Sequence, residues 1–116
     1  MPDENAIFFK KDSYVIAKKF QTRIQKFSEV CKVFKRLGIY LTIYEDGKYL
    51  KPKLTLSNQR HQAVESEIIK SGLSYNKIKE RQLLLQANRI NVDKGWDKTY
   101  LISIGFYKVP QVKLHR

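Results

Sequence analysis

The first third of the chain carries apolar residues at helical spacing. Between positions 16 and 37 they recur every three or four residues, which places them on one face of an α-helix. Asp12 or Ser13 can cap the first turn, and Gly38 follows the last apolar position, as a helix-terminating glycine does. We therefore predict a long helix over residues 13–37.

Beyond residue 38 the spacing of apolar residues changes to two. Apolar positions 39, 41 and 43 alternate with tyrosine and threonine, as in a half-buried strand. Asp46 and Gly47 suit a two-residue hairpin turn, because both central positions of a type I′ turn need positive φ. We predict a hairpin over residues 39–56 in which Tyr44 faces Tyr49. One face would be apolar, and the other would carry tyrosines and lysines.

The second half of the chain repeats this order. Residues 59–71 suit a polar helix ended by Gly72, and residues 81–88 and 99–109 alternate as two further strands. The glycine-containing segment 64–84 also has the outline of a helix-turn-helix, a motif that places its second helix against DNA. In that arrangement four polar residues would face DNA: Ser74, Asn76, Lys77 and Arg81.

The element order α-β-β-α-β-β predicts an α+β fold. Such a chain forms an antiparallel sheet from local hairpins, with the long N-terminal helix packed on one face. No linker or low-complexity tract divides the 116 residues, so we predict a single domain over residues 1–116. Residues 1–11 and 110–116 are predicted to be flexible tails.

Charge is the strongest compositional signal. The chain has 23 lysines and arginines against 11 acidic residues, a formal net charge of +12 and a pI near 9.9. An excess of this size attracts polyanions. One cysteine, Cys31, excludes an internal disulfide, and with two distant histidines it does not make zinc-ligand spacing. We therefore predict no metal, no cofactor and a reducing compartment.

The sequence also predicts an intracellular protein. No apolar run approaches the roughly 18 residues of a membrane span. The first residues carry acids where a secretory signal has lysines. We expect a protein of the cytoplasm, nucleoid or nucleus that does not contact a membrane.

Nucleic acid, either DNA or RNA, is the predicted partner. Lysines and arginines of the first helix and the hairpin would hold phosphates, and exposed aromatic side chains would stack on bases. Binding should then weaken steeply with salt, since bound phosphates release counterions. The predicted contact residues are Lys18, Lys32, Arg36, Tyr40, Tyr44, Tyr49, Lys51, Lys53 and Trp96.

Two alternatives remain open. The chain could be an accessory subunit whose basic surface docks on an acidic protein partner. It could also be a small nuclease or an RNA-cleaving toxin, since Asp46 and Lys48 match half of a metal-dependent nuclease motif. A hairpin tip explains those two residues better, and the spacing of His61 and Glu65 selects no acid–base set. No catalytic residue is predicted.

Overall fold

The computed structural model describes residues 5–46, 50–84 and 95–110, and for residues 50–54 it describes the backbone path alone. The described residues form two helices and four strands, with a short 3-10 turn over Tyr75–Lys77. They are β1 (Ala6–Lys10), α1 (Lys18–Val33), β2 (Leu37–Glu45), α2 (Leu50–Lys70), β3 (Ile78–Leu84) and β4 (Trp96–Lys108).

The four strands form one mixed sheet in the order β1-β4-β2-β3. β4 pairs antiparallel with both β1 and β2, and β2 pairs parallel with β3. A parallel pair cannot be joined by a tight turn, and α2 provides the crossover from β2 to β3. β1 and β3 are the two edges. The α+β class predicted from the sequence is confirmed, but the sheet is mixed rather than antiparallel.

Both helices pack on the same face of the sheet. The central strands contribute Ile39, Leu41 and Ile43 from β2 and Ile102 and Ile104 from β4, all at most 1% exposed. The helices cover them with a second layer of buried side chains: Phe20, Ile24, Cys31, Val64 and Ile68. The period of two in β2 and β4 therefore leaves Tyr40, Thr42 and Tyr44 on the opposite face of the sheet.

The predicted hairpin over residues 39–56 is wrong. Its first strand exists as β2, but the return strand is the first part of α2. β2 has hydrogen-bonded partners on both sides, so Tyr44 lies beside Leu83 and Leu101 rather than Tyr49. Pro52 falls in the first turn of α2, where a helix needs no backbone N–H donor. Residues 47–49 lie outside the described part of the chain.

The second predicted hairpin and the helix-turn-helix are also wrong. Residues 78–84 form a strand that pairs with β2, and β4 inserts between β1 and β2. Residues 6–10, predicted as part of a flexible tail, form β1, because Ile7 and Phe9 are buried in the core. Residues 111–116 of the other predicted tail are not among those described.

The helix ends show which glycine terminates a helix. α1 ends at Val33, four residues earlier than predicted, and Gly38 lies within β2. α2 ends at Lys70, and Gly72 takes a φ of +101°. The Gly72 amide donates to the Ile69 carbonyl and the next amide donates to the Ile68 carbonyl, which is the Schellman pattern. Gly72 therefore has the terminating role that the sequence predicted for it.

Candidate functional site

The residues predicted to bind nucleic acid do not form one surface. Among the described members, Lys18 and Lys32 lie on α1, and Arg36 lies in the turn after it. Tyr40 and Tyr44 lie on the sheet face that points away from α1. Tyr49 and the side chains of Lys51 and Lys53 are outside the described residues. The described members of the predicted set therefore divide between the two sides of the sheet.

Lys32 is engaged within the protein. Its Nζ lies 3.2 Å from a carboxylate oxygen of Glu29 and donates to the carbonyl oxygen of Ser71 at 2.9 Å. The second contact joins α1 to the end of α2. Lys32 therefore helps to fix the two helices, which explains its place without a ligand.

The open face of the sheet carries an aromatic and basic group of side chains. The ring of Tyr40 meets that of Tyr107 edge-on at 6.2 Å, and the Arg81 guanidinium lies 5.4 Å from the Tyr40 ring centre. Arg81 Nε also donates to Thr42 Oγ1 at 3.2 Å. Tyr40, Thr42 and Arg81 border a shallow cavity of about 300 Å³. Tyr40 thus already stacks on side chains of its own sheet.

Trp96 packs on the core at the start of β4. Its ring meets Phe20 edge-on, with centroids 5.6 Å apart, and the side chain is half-buried. The ammonium groups of Lys10 and Lys19 lie 5.4 and 5.2 Å from the indole centre. The tryptophan is therefore a cap on the core, and two cations surround its outer side.

A basic groove runs along the first half of α1. Lys19, Arg23 and Lys26 are four and three residues apart, so all three lie on one helix face. They border a cavity of about 320 Å³ with Asn5, Thr22 and Phe27, and we call this set the basic groove. Arg23 donates to the Ala6 carbonyl oxygen, which fixes its side chain against β1. The groove is a concentrated, partly rigid positive surface.

A second polar group joins the middle of α2 to β3. His61, Glu65 and Glu80 each offer one metal-ligating atom, and these atoms lie within 4.8 Å of one another. We call them the His–Glu–Glu cluster. Burial, the hydrogen bond with Glu80 and the charge of Glu80 raise the pKa of Glu65 to about 7, against a smaller opposing effect of His61. Glu65 therefore binds its proton up to near neutral pH, in hydrogen-bonding contact with Glu80.

The third polar group is an ion pair inside the protein. Arg60 and Asp97 are 1% and 4% exposed, and Arg60 Nη1 donates to Asp97 Oδ2 at 3.0 Å. The other guanidinium nitrogens donate to the carbonyl oxygens of Ser13 and Lys10. Because each guanidinium nitrogen already has a protein acceptor, this pair fixes α2, β4 and the turn after β1 together.

Sequence reasoning named none of these three groups: on the first helix and the turn after it, it chose Lys18, Lys32 and Arg36 instead of the groove residues. The other two groups were missed for one shared reason. His61 and Glu65 are four residues apart on a predicted helix, and that spacing was visible. Glu80 comes next to them only through the parallel pairing of β3 with β2, and Asp97 reaches Arg60 only because β4 lies inside the sheet. Neither pairing leaves a local signal in the sequence.

Comparisons with known proteins give a fold and no family. No family model matches the sequence, and no curated protein matches it. Among solved structures, the peptidoglycan-associated lipoprotein from Burkholderia pseudomallei is similar with a TM-score of 0.70 and 17% identity, over 90% of this chain and 91% of that one.

Two further solved structures share the fold. The OmpA-like domain of FopA1 from Francisella tularensis is similar with a TM-score of 0.64 and 17% identity, over 93% of this chain and 74% of that one. The periplasmic domain of Helicobacter pylori MotB has a TM-score of 0.60 and 16% identity, over 88% and 70%. The chain therefore has an OmpA-like fold.

These similarities overturn the predicted function, partner and location. One structure that shares the fold is named for peptidoglycan association and another for the periplasm, so the predicted nucleic-acid binding, the nucleic-acid partner and the predicted cytoplasmic, nucleoid or nuclear location are wrong. The error was to infer one class of polyanion from the net charge, because a positive charge attracts every class of polyanion. The alternative prediction of an accessory interaction module agrees better with these structures. None of the helices in the described ranges is long and apolar enough to cross a bilayer.

Proposed function

We propose that this chain is a cell-envelope domain that binds peptidoglycan without catalysing a reaction on it. The observation that carries the proposal is the similarity to a peptidoglycan-associated lipoprotein over nine-tenths of both chains. Two neighbours named for the OmpA-like fold and for the periplasm point to the same compartment. The charge and the surface of this chain give the remaining support for the proposal.

The net charge fits such a ligand. Peptidoglycan carries free carboxylates on its stem peptides, and a chain with a net charge of +12 attracts a polyanion of this kind at low and moderate salt. Attraction of this type is long-range and does not need a deep cavity. It suits a domain that holds an extended polymer at many weak contacts.

The basic groove is the proposed carboxylate-binding surface. Lys19, Arg23 and Lys26 present three cations along one helix face, and Arg23 is held in place by its bond to the Ala6 carbonyl. The described ion pairs join Lys32 to Glu29 and Arg60 to Asp97. None of these residues lines the groove, so the charges of the groove cations are available to a ligand. An arginine can bind a carboxylate with two parallel hydrogen bonds, and the lysines add point charges beside it.

Co-sedimentation with purified, insoluble peptidoglycan tests the proposal. The protein should pellet with peptidoglycan at low salt, and the bound fraction should fall as salt is raised. The double variant Lys19→Glu/Lys26→Glu should lose at least tenfold in apparent affinity. Lys70→Glu/Lys108→Glu is the matched control, because both lysines are exposed and lie outside the groove. Each double exchange removes four units from the net charge of +12, so the two variants differ only in where the charge is removed.

The outcomes separate the alternatives. Loss of binding in the groove variant alone supports the proposal. Equal loss in both variants would mean that total charge holds the polymer and that the groove has no special role. Absence of binding by the unmodified protein at low salt would overturn the proposal and leave an acidic protein partner as the better hypothesis.

A further inference from the structure

We propose that His61, Glu65 and Glu80 form a binding site for a divalent transition-metal ion, and that zinc is the ion this ligand set fits best. The site lies between α2 and β3, whereas the basic groove lies between α1 and β1. β3 and β1 are opposite edges of the sheet, so the two surfaces can be tested separately.

The position of the three residues in the fold is the first observation. His61 and Glu65 are one helical turn apart on α2, which places them on the same helix face. Glu80 belongs to β3, the strand that follows α2 and pairs with β2. The backbone of a helix and that of a strand therefore fix the ligands, and the chelate does not depend on a mobile segment.

The distances are close to those of a metal site. One ligand atom from each residue lies within 4.8 Å of the other two. Zinc binds nitrogen and carboxylate oxygen at roughly 2.0–2.2 Å, so two ligand atoms of a tetrahedral site are about 3.4 Å apart. Small rotations of the two glutamate side chains would bring the widest pair to that distance, since both carboxylates are on long side chains.

An unpaired imidazole nitrogen is the second, independent observation. His61 Nδ1 is buried and has no hydrogen-bond partner among the described residues. A buried polar atom left in this state destabilises the folded chain, and native proteins rarely leave one unexplained. A ligand that binds at the cluster and orders the imidazole would account for it, and imidazole is a common metal ligand in proteins.

The third observation is that the two acidic side chains of the cluster lie next to each other. The chain has 23 basic side chains and 11 acidic ones, yet Glu65 and Glu80 face each other and a histidine. Two carboxylates repel unless a proton or a cation lies between them. In so basic a protein an acid would ordinarily pair with a lysine or arginine, and the two paired acids offer a place that a proton or a metal cation can occupy.

The ligand types decide the class of metal. Calcium and magnesium prefer oxygen ligands alone and take six or more of them, which one histidine and two glutamates do not provide. Imidazole together with carboxylate suits zinc and its first-row neighbours. Three protein ligands leave one position of a tetrahedral zinc site open to water or to a group from a partner.

Calorimetric titration with zinc alone, on chelator-treated protein at pH 7.5, tests the site. We expect one zinc ion per chain and no comparable binding of Mg²⁺ or Ca²⁺. Because zinc would bind the folded state, unfolding should be suppressed about 100-fold at a free zinc concentration 100 times the dissociation constant. The thermal midpoint should rise with zinc concentration accordingly.

Three variants locate the binding. His61→Gln and Glu80→Gln should each weaken zinc binding at least tenfold, and circular dichroism should confirm that both variants are folded. Glu67→Gln is the control, because Glu67 lies on the same helix and accepts a hydrogen bond from Gln25 instead of facing the cluster. Cobalt(II) titration gives a second readout, since its visible spectrum reports nitrogen and oxygen coordination and should disappear in the two cluster variants.

Two results would overturn the zinc site itself, and a third would overturn the choice of metal. One is the absence of stoichiometric zinc binding by the folded protein at pH 7.5. The other is zinc binding that survives unchanged in both His61→Gln and Glu80→Gln, because the metal would then be held elsewhere on the chain. Equal affinity for Mg²⁺ would also contradict the argument from ligand type.

Discussion

Replacing Asp97 by asparagine should destabilise the protein severely. Asp97 and Arg60 are almost completely buried, and their charged atoms lie 3.0 Å apart. At an effective dielectric constant near 20, that separation corresponds to an attraction of about 5 kcal/mol. The amide has nearly the same shape as the carboxylate, so the exchange keeps the packing but removes the charge and replaces one accepting oxygen, bonded to Arg60 or Thr99, with an NH₂ donor.

The magnitude follows from what Arg60 retains. Its guanidinium keeps its bonds to the Ser13 and Lys10 carbonyls, and its carbon atom lies 5.1 Å from the ring centres of Phe9 and Tyr100. Removing one partner of a buried pair costs about 3–5 kcal/mol, and these remaining contacts place the expected loss near 3 kcal/mol. For a domain of this size, that loss lowers the thermal midpoint by about 10–15 °C.

The assay is urea unfolding followed by tryptophan fluorescence, which reports Trp96 alone because the chain has one tryptophan. Glu29→Gln is the matched control: it also converts an acid to its amide within an ion pair, but there the side chains of Lys32 and Glu29 are 39% and 65% exposed. An exposed pair contributes at most about 1 kcal/mol.

A second substitution identifies the cause. Adding Arg60→Met to the Asp97→Asn protein removes the unpaired charge and should recover part of the lost stability. The reasoning is refuted if Asp97→Asn costs no more than Glu29→Gln, or if Arg60→Met makes the Asp97 variant still less stable by the full cost of a buried side chain.

Three further predictions concern single residues. Gly38→Ala should lower stability by about 2 kcal/mol or more, because its methyl group would lie 2.7 Å from the Lys77 carbonyl oxygen, whereas Gly105→Ala has open space and should be neutral in the same urea assay. The thiol of Cys31 is buried, which raises its pKa, so it should react with a thiol reagent only after denaturation. Glu65 binds its proton more tightly in the folded chain, with a pKa of about 7 against an ordinary 4.5, so stability should fall as pH rises through that window. The fall should be about 1–2 kcal/mol after solvent screening, and urea unfolding at pH 4.5 and 7 in chelator should show it disappear in Glu65→Gln.

The sequence predicted those elements whose burial pattern is regular. β2 and β4 each alternate over enough residues to be recognised, and Gly72 marks the end of α2. The predicted hairpin failed because the turn signal at Asp46 and Gly47 is local, whereas the choice of strand partners depends on the whole sheet. β2 pairs with the antiparallel strand β4 along one edge and with the parallel strand β3 along the other. Neither edge of β2 is therefore left for a return strand.

At the start of α2, local signals for a strand and for a helix are also decided by tertiary contacts. Residues 48–56 contain lysine, leucine and proline in an order that suits a polar strand as well as a helix, since Pro52 is acceptable at a strand edge or in a first helical turn. The alternatives differ only in tertiary context. A single α2 of 21 residues carries Arg60 to Asp97 and His61 to Glu80, and a hairpin would do neither.

Charge predicted the kind of ligand and could not identify it. A net charge of +12 favours an anionic polymer whatever its backbone, because the attraction depends on charge density and salt rather than on chemical identity. Identity requires a surface, and only some of the described cations gather in the groove on α1, while others, such as Lys32 and Arg60, bind groups of the protein itself. The same separation explains why the two acids at Glu65 and Glu80 are informative in so basic a chain. Where cations are abundant, a carboxyl group that faces another carboxyl group goes against the general electrostatic preference, and a bound proton or a bound metal ion would stabilise the pair.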